Sequence, residues 1–349
     1  MNDQQNQFGR VNWRTILTIA TFIVLGIIIY SLRHDIGNVI DNLGKVNALA
    51  LLLIIPFEAL NYDVYARYLR RTFAILGQKV GYWPMYRLTL ELNFVNHLLP
   101  SGGVSGIAFF NMRVRQYGVS GAKSTLSQIL KLFLLYTSFQ PLLILGVFLL
   151  ALRGHTSNLI MVVATALVTL LIVGTWIALY IIEDRRRINA ALTWLTRAIN
   201  WLIHLVRPHR PETFNIERSQ KTFNELHDSY EELKTHWREL KVPFLYMMLA
   251  NATEIGAIYA VYIAFGHLVN VGAVILAYAV ANFAGLISVL PAGIGIYEGL
   301  MTAVLAATGI SPAVSIPVTI MYRVLNMVIQ LTPGYVLYQK ALRREPDKA

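Results

Sequence analysis

The chain contains no cysteine, which excludes a disulfide scaffold, a cysteine-ligated zinc or iron–sulfur site and thiol catalysis. It is also short of charge: Asp, Glu, Lys and Arg make up 14% of its 349 residues, where a soluble domain carries about a quarter. No G-x-x-x-x-G-K-[ST] segment occurs, so there is no P-loop for ATP-driven work. No H-E-x-x-H or G-x-S-x-G occurs either. The glycines at 102, 103 and 106 follow no strand, which removes the case for a phosphate cradle. The composition asks for no metal and no cofactor.

Hydrophobic residues are in excess, at 56% of the chain, and they form uninterrupted runs of helical length. Only helices or closed barrels satisfy their backbone within lipid, and these runs lack the alternation of a barrel strand. The fold class is therefore all-α, a polytopic integral membrane protein. The spans read as a first that follows Arg10 and Arg14 and runs to about Leu32, then Val46 to about Leu69, about Ser120 to Leu152, Ser157 to Ile182, Pro243 to near His267, and Ala313 to Gln339. The first has no small-residue cleavage site behind it and reads as an anchor, not a removed signal peptide.

The net charge of +11 follows topology. With the N-terminus in the cytoplasm, twenty-four of the thirty Lys and Arg fall on that side. Arg33, Lys45 and Arg153 fall outside, and Arg87, Lys131 and Arg323 lie within apolar sequence. The positive-inside rule selects this orientation, with both termini cytoplasmic in the cell membrane. Nucleic acid is not the expected partner; anionic inner-leaflet lipid is.

Residues 183–242 hold twenty of the forty-nine charged residues and read as a cytoplasmic insert. Its first part, from Arg187 to Val206, places Ile188, Leu192, Leu195, Ile199 and Leu202 on one helical face. Trp194 and Trp201 stand at the edge of that face, as in a helix lying in the interface plane. Its second part runs Phe223, Leu226, Tyr230, Leu233, Trp237, Leu240, a heptad seam within 214–241. Two readings fit the seam: a helix packed on its neighbour or on the membrane, which is favoured, or a coiled coil that binds a partner or a second copy.

Two stretches resemble each other at an offset of 191. Leu99-Pro100-Ser101-Gly102 matches Leu290-Pro291-Ala292-Gly293, and Gly118 to Ser124 matches Gly309 to Ser315. Seven of twenty-six aligned positions are identical. Each copy is a span, a hairpin broken at Leu-Pro-x-Gly, and another span, and charge placement gives the copies opposite orientations. The plan is that of the inverted-topology repeats of secondary transporters. The expected architecture is about six full spans plus two Pro/Gly-broken hairpins. Its divisions are an anchor (1–45), repeat 1 (46–152), a connecting span (153–182), the insert (183–242), repeat 2 (243–342) and a tail (343–349). Whether the hairpins cross or re-enter stays open. Broken backbone at their tips must face protein or a polar cavity, so Pro100, Gly102, Pro291 and Gly293 read as gating positions.

Lys131 and Arg323 each lie about ten residues into a span, about 15 Å deep at 1.5 Å per residue in a core of about 30 Å. Through the offset Lys131 aligns with Tyr322. A cation at that depth costs at least about 2.5 kcal/mol and is paired or cavity-facing. A fixed ion pair or snorkelling is the plain reading; a cavity that receives an anionic head group is the favoured one. Glu58, Asp63, Glu254 and Glu298 are the acids that could match these cations. Arg323 is the first candidate, as a structural lock or as a relay. Near the first tip, Arg87 and Glu91 read as an i,i+4 pair. Asn93, Asn96 and His97 share one face as a polar stripe, with His97 read first as a hydrogen-bonded core histidine. Arg113 and Arg115 stand at the inner surface, suited to phosphate attraction or to ordinary anchoring.

The chain resembles the transmembrane, flippase-like domain of lysylphosphatidylglycerol synthases and its free-standing relatives. The resemblance is carried by Asn93-Phe94-Val95-Asn96-His97-Leu98-Leu99-Pro100-Ser101-Gly102 with Arg113 and Gly118, by Leu290-Pro291-Ala292-Gly293-Ile294-Gly295-Ile296-Tyr297-Glu298, and by Tyr322-Arg323. It covers nearly the whole chain. It implies movement of a lipid between leaflets, and it nominates Asn96, Pro100, Gly102, Arg113, Pro291, Gly293, Glu298 and Arg323. The synthases append a soluble aminoacyl-transferase domain, whereas this chain ends at Ala349. Lysylation is therefore not carried over, and the lipid stays open, with hopanoid and polyprenyl-linked lipids among those associated with free-standing relatives. The expected function is a non-ATP lipid translocase whose Lys131, Arg323, Arg113, Asn96 and His97 meet the head group. The alternatives are a lipid transferase using Glu298, Glu91 or His97, and a partner subunit of a lipid synthase.

Overall fold

The computed structural model describes residues 44, 46–98, 104–152, 158–184, 186–187, 190, 193–194, 230–287 and 295–344. The N-terminal span, both Leu-Pro-x-Gly tips and most of the insert, including the interfacial stretch toward Val206 and the seam before Tyr230, lie outside those residues. The described elements are helical: α1 (Ala48–Leu51), α2 (Ile54–Ile75), α3 (Tyr82–Leu98), α4 (Val104–Val114), α5 (Gly121–Ala151), α6 (Asn158–Ile182), α7 (Lys241–Ala264), α8 (Val271–Ile287), α9 (Ile296–Ala307) and α10 (Pro312–Arg344). Five helical stretches are long and apolar enough to cross a membrane: Ala48–Ile75, Gly121–Ala151, Ile160–Ile181, Trp237–Ala264 and Pro312–Lys340. The protein is an all-α, multi-pass membrane protein.

The two halves have the same order of parts. A long helix (α2, α7) leads to a 17-residue helix (α3, α8), then one of 11 or 12 residues (α4, α9), then a helix of 31 or 33 residues (α5, α10). At 1.5 Å per residue α4 and α9 reach only about 16–18 Å, short of a core of about 30 Å. Helices α2 and α7 form the most extensive contact among the described residues, and they run antiparallel. Asn47 N–H meets the Ala264 carbonyl at one end, Asn61 meets Ala250 and Thr253 midway, and Arg71 meets Glu239 at the other end. The leading helices of the two halves thus point opposite ways. The halves also exchange arms: α3 lies on α10, and α8 lies on α5.

Small residues set both exchanged contacts, as expected where membrane helices associate by close packing. A Cβ on Gly272 of α8 would sit 2.2 Å from the Gly146 carbonyl oxygen of α5. One on Gly334 of α10 would sit 2.7 Å from the Leu90 carbonyl oxygen of α3. Neither position admits a side chain without the helices moving apart.

At the end of the molecule where α2 finishes and α5 begins, residues 230–240 clamp the two together. Leu233 is buried in a cluster with Phe73, Leu76 and Val80, and Glu232 pairs with Lys123, whose Nζ also donates to the Leu76 carbonyl at 2.6 Å. The heptad rhythm does not run through. The α-helix stops at Thr235, a 3-10 turn spans Trp237–Leu240, and Trp237 is 61% exposed. A strict 3,4 spacing predicts one face only while the helix continues, and here it turns a corner before Trp237.

Gly272→Ala is expected to lower thermal stability in detergent by the equivalent of about 1–3 kcal/mol, the usual cost of overpacking. Gly174→Ala in α6, where an added Cβ meets nothing within 4 Å, is expected to raise it by up to about 1 kcal/mol through helix propensity alone. Melting curves of the two variants beside the parent check both signs.

Candidate functional site

The spans carry polar residues at helical spacing, and these converge on one cavity of about 270 Å³. Helix α2 contributes Asn61, Tyr62 and Tyr65; α10 contributes Tyr322, Arg323, Asn326 and Gln330; α5 contributes Gln128 and Lys131. Helix α3 adds Asn93, Asn96 and His97, α7 adds Glu254, α8 adds Tyr278 and Asn282, and α9 adds Tyr297. The two deep cations aligned by the repeat, Lys131 and the neighbour of Tyr322, thus line the same hollow.

Part of the wall is a closed hydrogen-bond network. Asn93 Nδ2 donates to the Tyr62 hydroxyl and to Gln330 Oε1, each at 2.8 Å. Gln330 Nε2 donates onward to Glu58 Oε2 at 3.0 Å, and Asn326 Nδ2 donates to Glu58 Oε1 at 2.5 Å. Glu58 is 1% exposed, so its two oxygens depend on these amides. Beside it Asn61 Nδ2 donates to the Ala250 carbonyl and Thr253 Oγ1, tying α2 to α7. Tyr322 donates its hydroxyl proton to Glu254 at 2.6 Å. Every polar group so tied would otherwise meet hydrocarbon at a cost of several kcal/mol.

Arg323 is a lock. Its Nε donates to Glu298 Oε1 at 2.8 Å and its guanidinium lies 4.4 Å from the Tyr297 ring centroid. Glu298 Oε2 accepts from the Gly295 amide at 2.7 Å, capping the first turn of α9 just beyond the second hairpin tip. One carboxylate therefore joins that turn to α10. Lys131 is different. It forms no ion pair with any described residue, and its Nζ lies 5.8 Å from the Tyr65 ring centroid. One turn earlier on the same helix, the buried Gln128 Nε2 has no hydrogen-bond partner. The cavity thus holds two adjacent donors, one charged, without acceptors among the described residues.

His97 Nδ1 lies 2.9 Å from the Asn93 carbonyl. A carbonyl only accepts, so Nδ1 carries a proton, and in the neutral ring Nε2 is the acceptor.

The other sequence candidates fall elsewhere. Asp63 does not match a deep cation: it pairs with Arg67 one turn on at 2.7 Å and accepts from Tyr82 at 2.5 Å, because a local i,i+4 partner was already in reach. Glu91 does not pair with Arg87; it binds Arg113 across the hairpin at 3.0 Å, and Arg87 is exposed. Arg113 is accordingly a tie between α3 and α4, not an unoccupied head-group ligand. Glu58 meets amides in place of a cation. Among the described residues no cluster of His, Asp or Glu is arranged to hold a metal. Pro100, Gly102, Pro291 and Gly293 lie outside the described residues. Asn61, Gln128, Asn326 and Gln330 escaped the sequence reading. Their signal was there: polar side chains at i, i+3 or i+4, and i+7 or i+8 along apolar spans, 58-61-62-65 on α2 and 322-323-326-330 on α10.

The family described as Lysylphosphatidylglycerol synthase TM region matches residues 17–334. The chain belongs to that family. Relatives include the UPF0104 membrane proteins of Methanothermobacter thermautotrophicus, 23% identical over 88% of this chain and 90% of that one, and of Methanocaldococcus jannaschii, 21% identical over 97% and 98%. A third, from Pyrococcus horikoshii, is 23% identical over 71% and 73%. The cavity walls and the Arg323–Glu298 pair fall within the matched region, which ends inside α10.

Arg323 and Glu298 are 11% and 15% exposed, so removing one breaks a largely buried ion pair at the hairpin. Glu298→Ala is expected to cost about 3–5 kcal/mol. The double variant Glu298→Gln, Arg323→Met is expected to recover part of that loss, and a double-mutant cycle of melting temperatures measures it.

Proposed function

We propose that this protein is a non-ATP lipid translocase that carries a phosphate-bearing or otherwise anionic lipid between leaflets of the cell membrane. The observation that carries the reading is the donor pair Lys131 and Gln128, set one turn apart in a mid-membrane cavity without acceptors among the described residues. Unmatched donors at that depth are expensive, and an anionic oxygen entering the cavity would take both as charge-assisted hydrogen bonds. Asn96 and the acceptor face of His97 line the same wall and are suited to the remaining polar atoms of a head group. The tails of such a lipid would stay in the bilayer. The opposed halves, with α3 and α8 exchanged between them, suit alternating access by rocking, with the Pro-Gly tips as gates. The distribution of Lys and Arg supports a cytoplasmic position for both termini.

The test is reconstitution in vesicles carrying trace head-group-labelled lipids, with leaflet distribution read by quenching. Lys131→Ala is expected to slow movement of phosphatidylglycerol at least tenfold, since one charge-assisted hydrogen bond is worth about 1.5–3 kcal/mol. Gln128→Leu is expected to have a smaller effect. Formation of a new lipid from a labelled donor would point instead to the transferase, and lipid movement indifferent to Lys131 would overturn the head-group assignment.

A further inference from the structure

Glu58 of α2 and Glu254 of α7 are two deep acids, and no Lys or Arg among the described residues pairs with either. The antiparallel contact sets them level. Asn61 meets Ala250 and Thr253, so the residue one turn before Asn61 falls beside the one that follows Thr253. Two carboxylates at one level of adjoining helices disfavour each other's charge. Their hydrogen-bond partners, Asn326, Gln330 and the Tyr322 hydroxyl, are all neutral and supply no countercharge.

The remaining titratable and charged groups around the pair come from every adjoining helix. Tyr62 and Tyr65 lie on α2 itself, Tyr136 on α5, Tyr278 on α8 and Tyr297 on α9, and all are neutral phenols in the physiological range. His97 of α3 donates from Nδ1 to a backbone carbonyl. Arg323 of α10 is bound by Glu298 of α9. With the Lys131 ammonium of α5, the cavity and its wall hold, among the described residues, two cations against three carboxylates, Glu58, Glu254 and Glu298. An excess negative charge near the centre of a bilayer core is costly. Two neighbouring carboxylates relieve it by keeping one proton between them.

We propose that Glu58 and Glu254 form a proton-binding carboxylate pair whose proton is exchanged in step with occupancy of the cavity by an anionic head group. The pairing of acids stands on geometry alone; its link to the lipid rests on the transport reading. When the head group binds, its anionic oxygen engages Lys131 and brings a further negative charge into the cavity, and the acids then hold the proton. When the head group leaves, its negative charge leaves the cavity with it and the proton is released. The proton enters from the aqueous side to which the cavity opens, rides on a carboxylate oxygen and leaves on the opposite side. No other bond is made or broken.

Infrared difference spectra of the purified chain near neutral pH are expected to contain the carbonyl stretch of a protonated carboxyl, removed or shifted by Glu58→Gln and, independently, by Glu254→Gln. In phosphatidylcholine vesicles with trace labelled phosphatidylglycerol, one unit of pH gradient is expected to displace the leaflet ratio of the anionic lipid about tenfold for one proton per lipid. Labelled phosphatidylcholine is expected to stay even. A missing carboxyl band, or one indifferent to both substitutions, overturns the proton site. The band with an even phosphatidylglycerol ratio across the gradient overturns the coupling and leaves uncoupled translocation standing. The band with no lipid movement at any pH overturns the transport reading, and the coupling with it.

Discussion

Hydrocarbon offers no hydrogen-bond partner and screens no charge, so each polar atom carried into a membrane must be matched by another atom of the protein or face an aqueous or ligand-filled space. That constraint orders this molecule. The amides of Asn326 and Gln330 are used on Glu58, Asn93 on Tyr62 and Gln330, Asn61 on the α7 backbone, Glu298 on both Arg323 and the start of α9. Each match joins different helices, and the matches together fix how the two halves meet. Within the cavity, Lys131 has no ion pair and Gln128 Nε2 no hydrogen bond among the described residues.

The opposed halves give this arrangement its shape. Because α2 and α7 run antiparallel along their whole lengths, residues from the middle of both reach the same depth, and the acids at 58 and 254 become neighbours despite their separation in sequence. The exchange of α3 and α8 then places one short helix from each half against the long terminal helix of the other. Gly272 and Gly334 permit that closeness. A movement that opened the cavity to one side would slide these glycine-lined contacts while leaving the α2–α7 axis in place.

Hydropathy and charge placement located the spans to within a few residues: Ser157 to Ile182 was expected and Asn158–Ile182 is observed, and Pro243 to His267 became Lys241–Ala264. Long apolar helices in lipid leave little latitude in their ends, which explains the agreement. The deep positions of Lys131, Arg323 and Glu298 were legible for the same reason, since depth is a count of residues. Pairing was less legible. Asp63 took Arg67 and Glu91 took Arg113 because side-chain reach in three dimensions decides among several nearby opposite charges. The network of Asn61, Asn326 and Gln330 was overlooked because an amide carries no charge to single it out, although its helical spacing was visible. Trp237 left the expected seam because a chain that must turn into the membrane ends its helix first.

The central claim is that the cavity beside Lys131 receives an anionic head group. Native mass spectrometry after gentle detergent extraction, comparing the parent chain with Lys131→Ala, tests it most directly. The account predicts that a phosphate-bearing lipid stays bound to the parent chain and is lost from the variant while neutral lipids persist on both. The same lipids on both proteins in the same proportion, with no preference for phosphate, would contradict it.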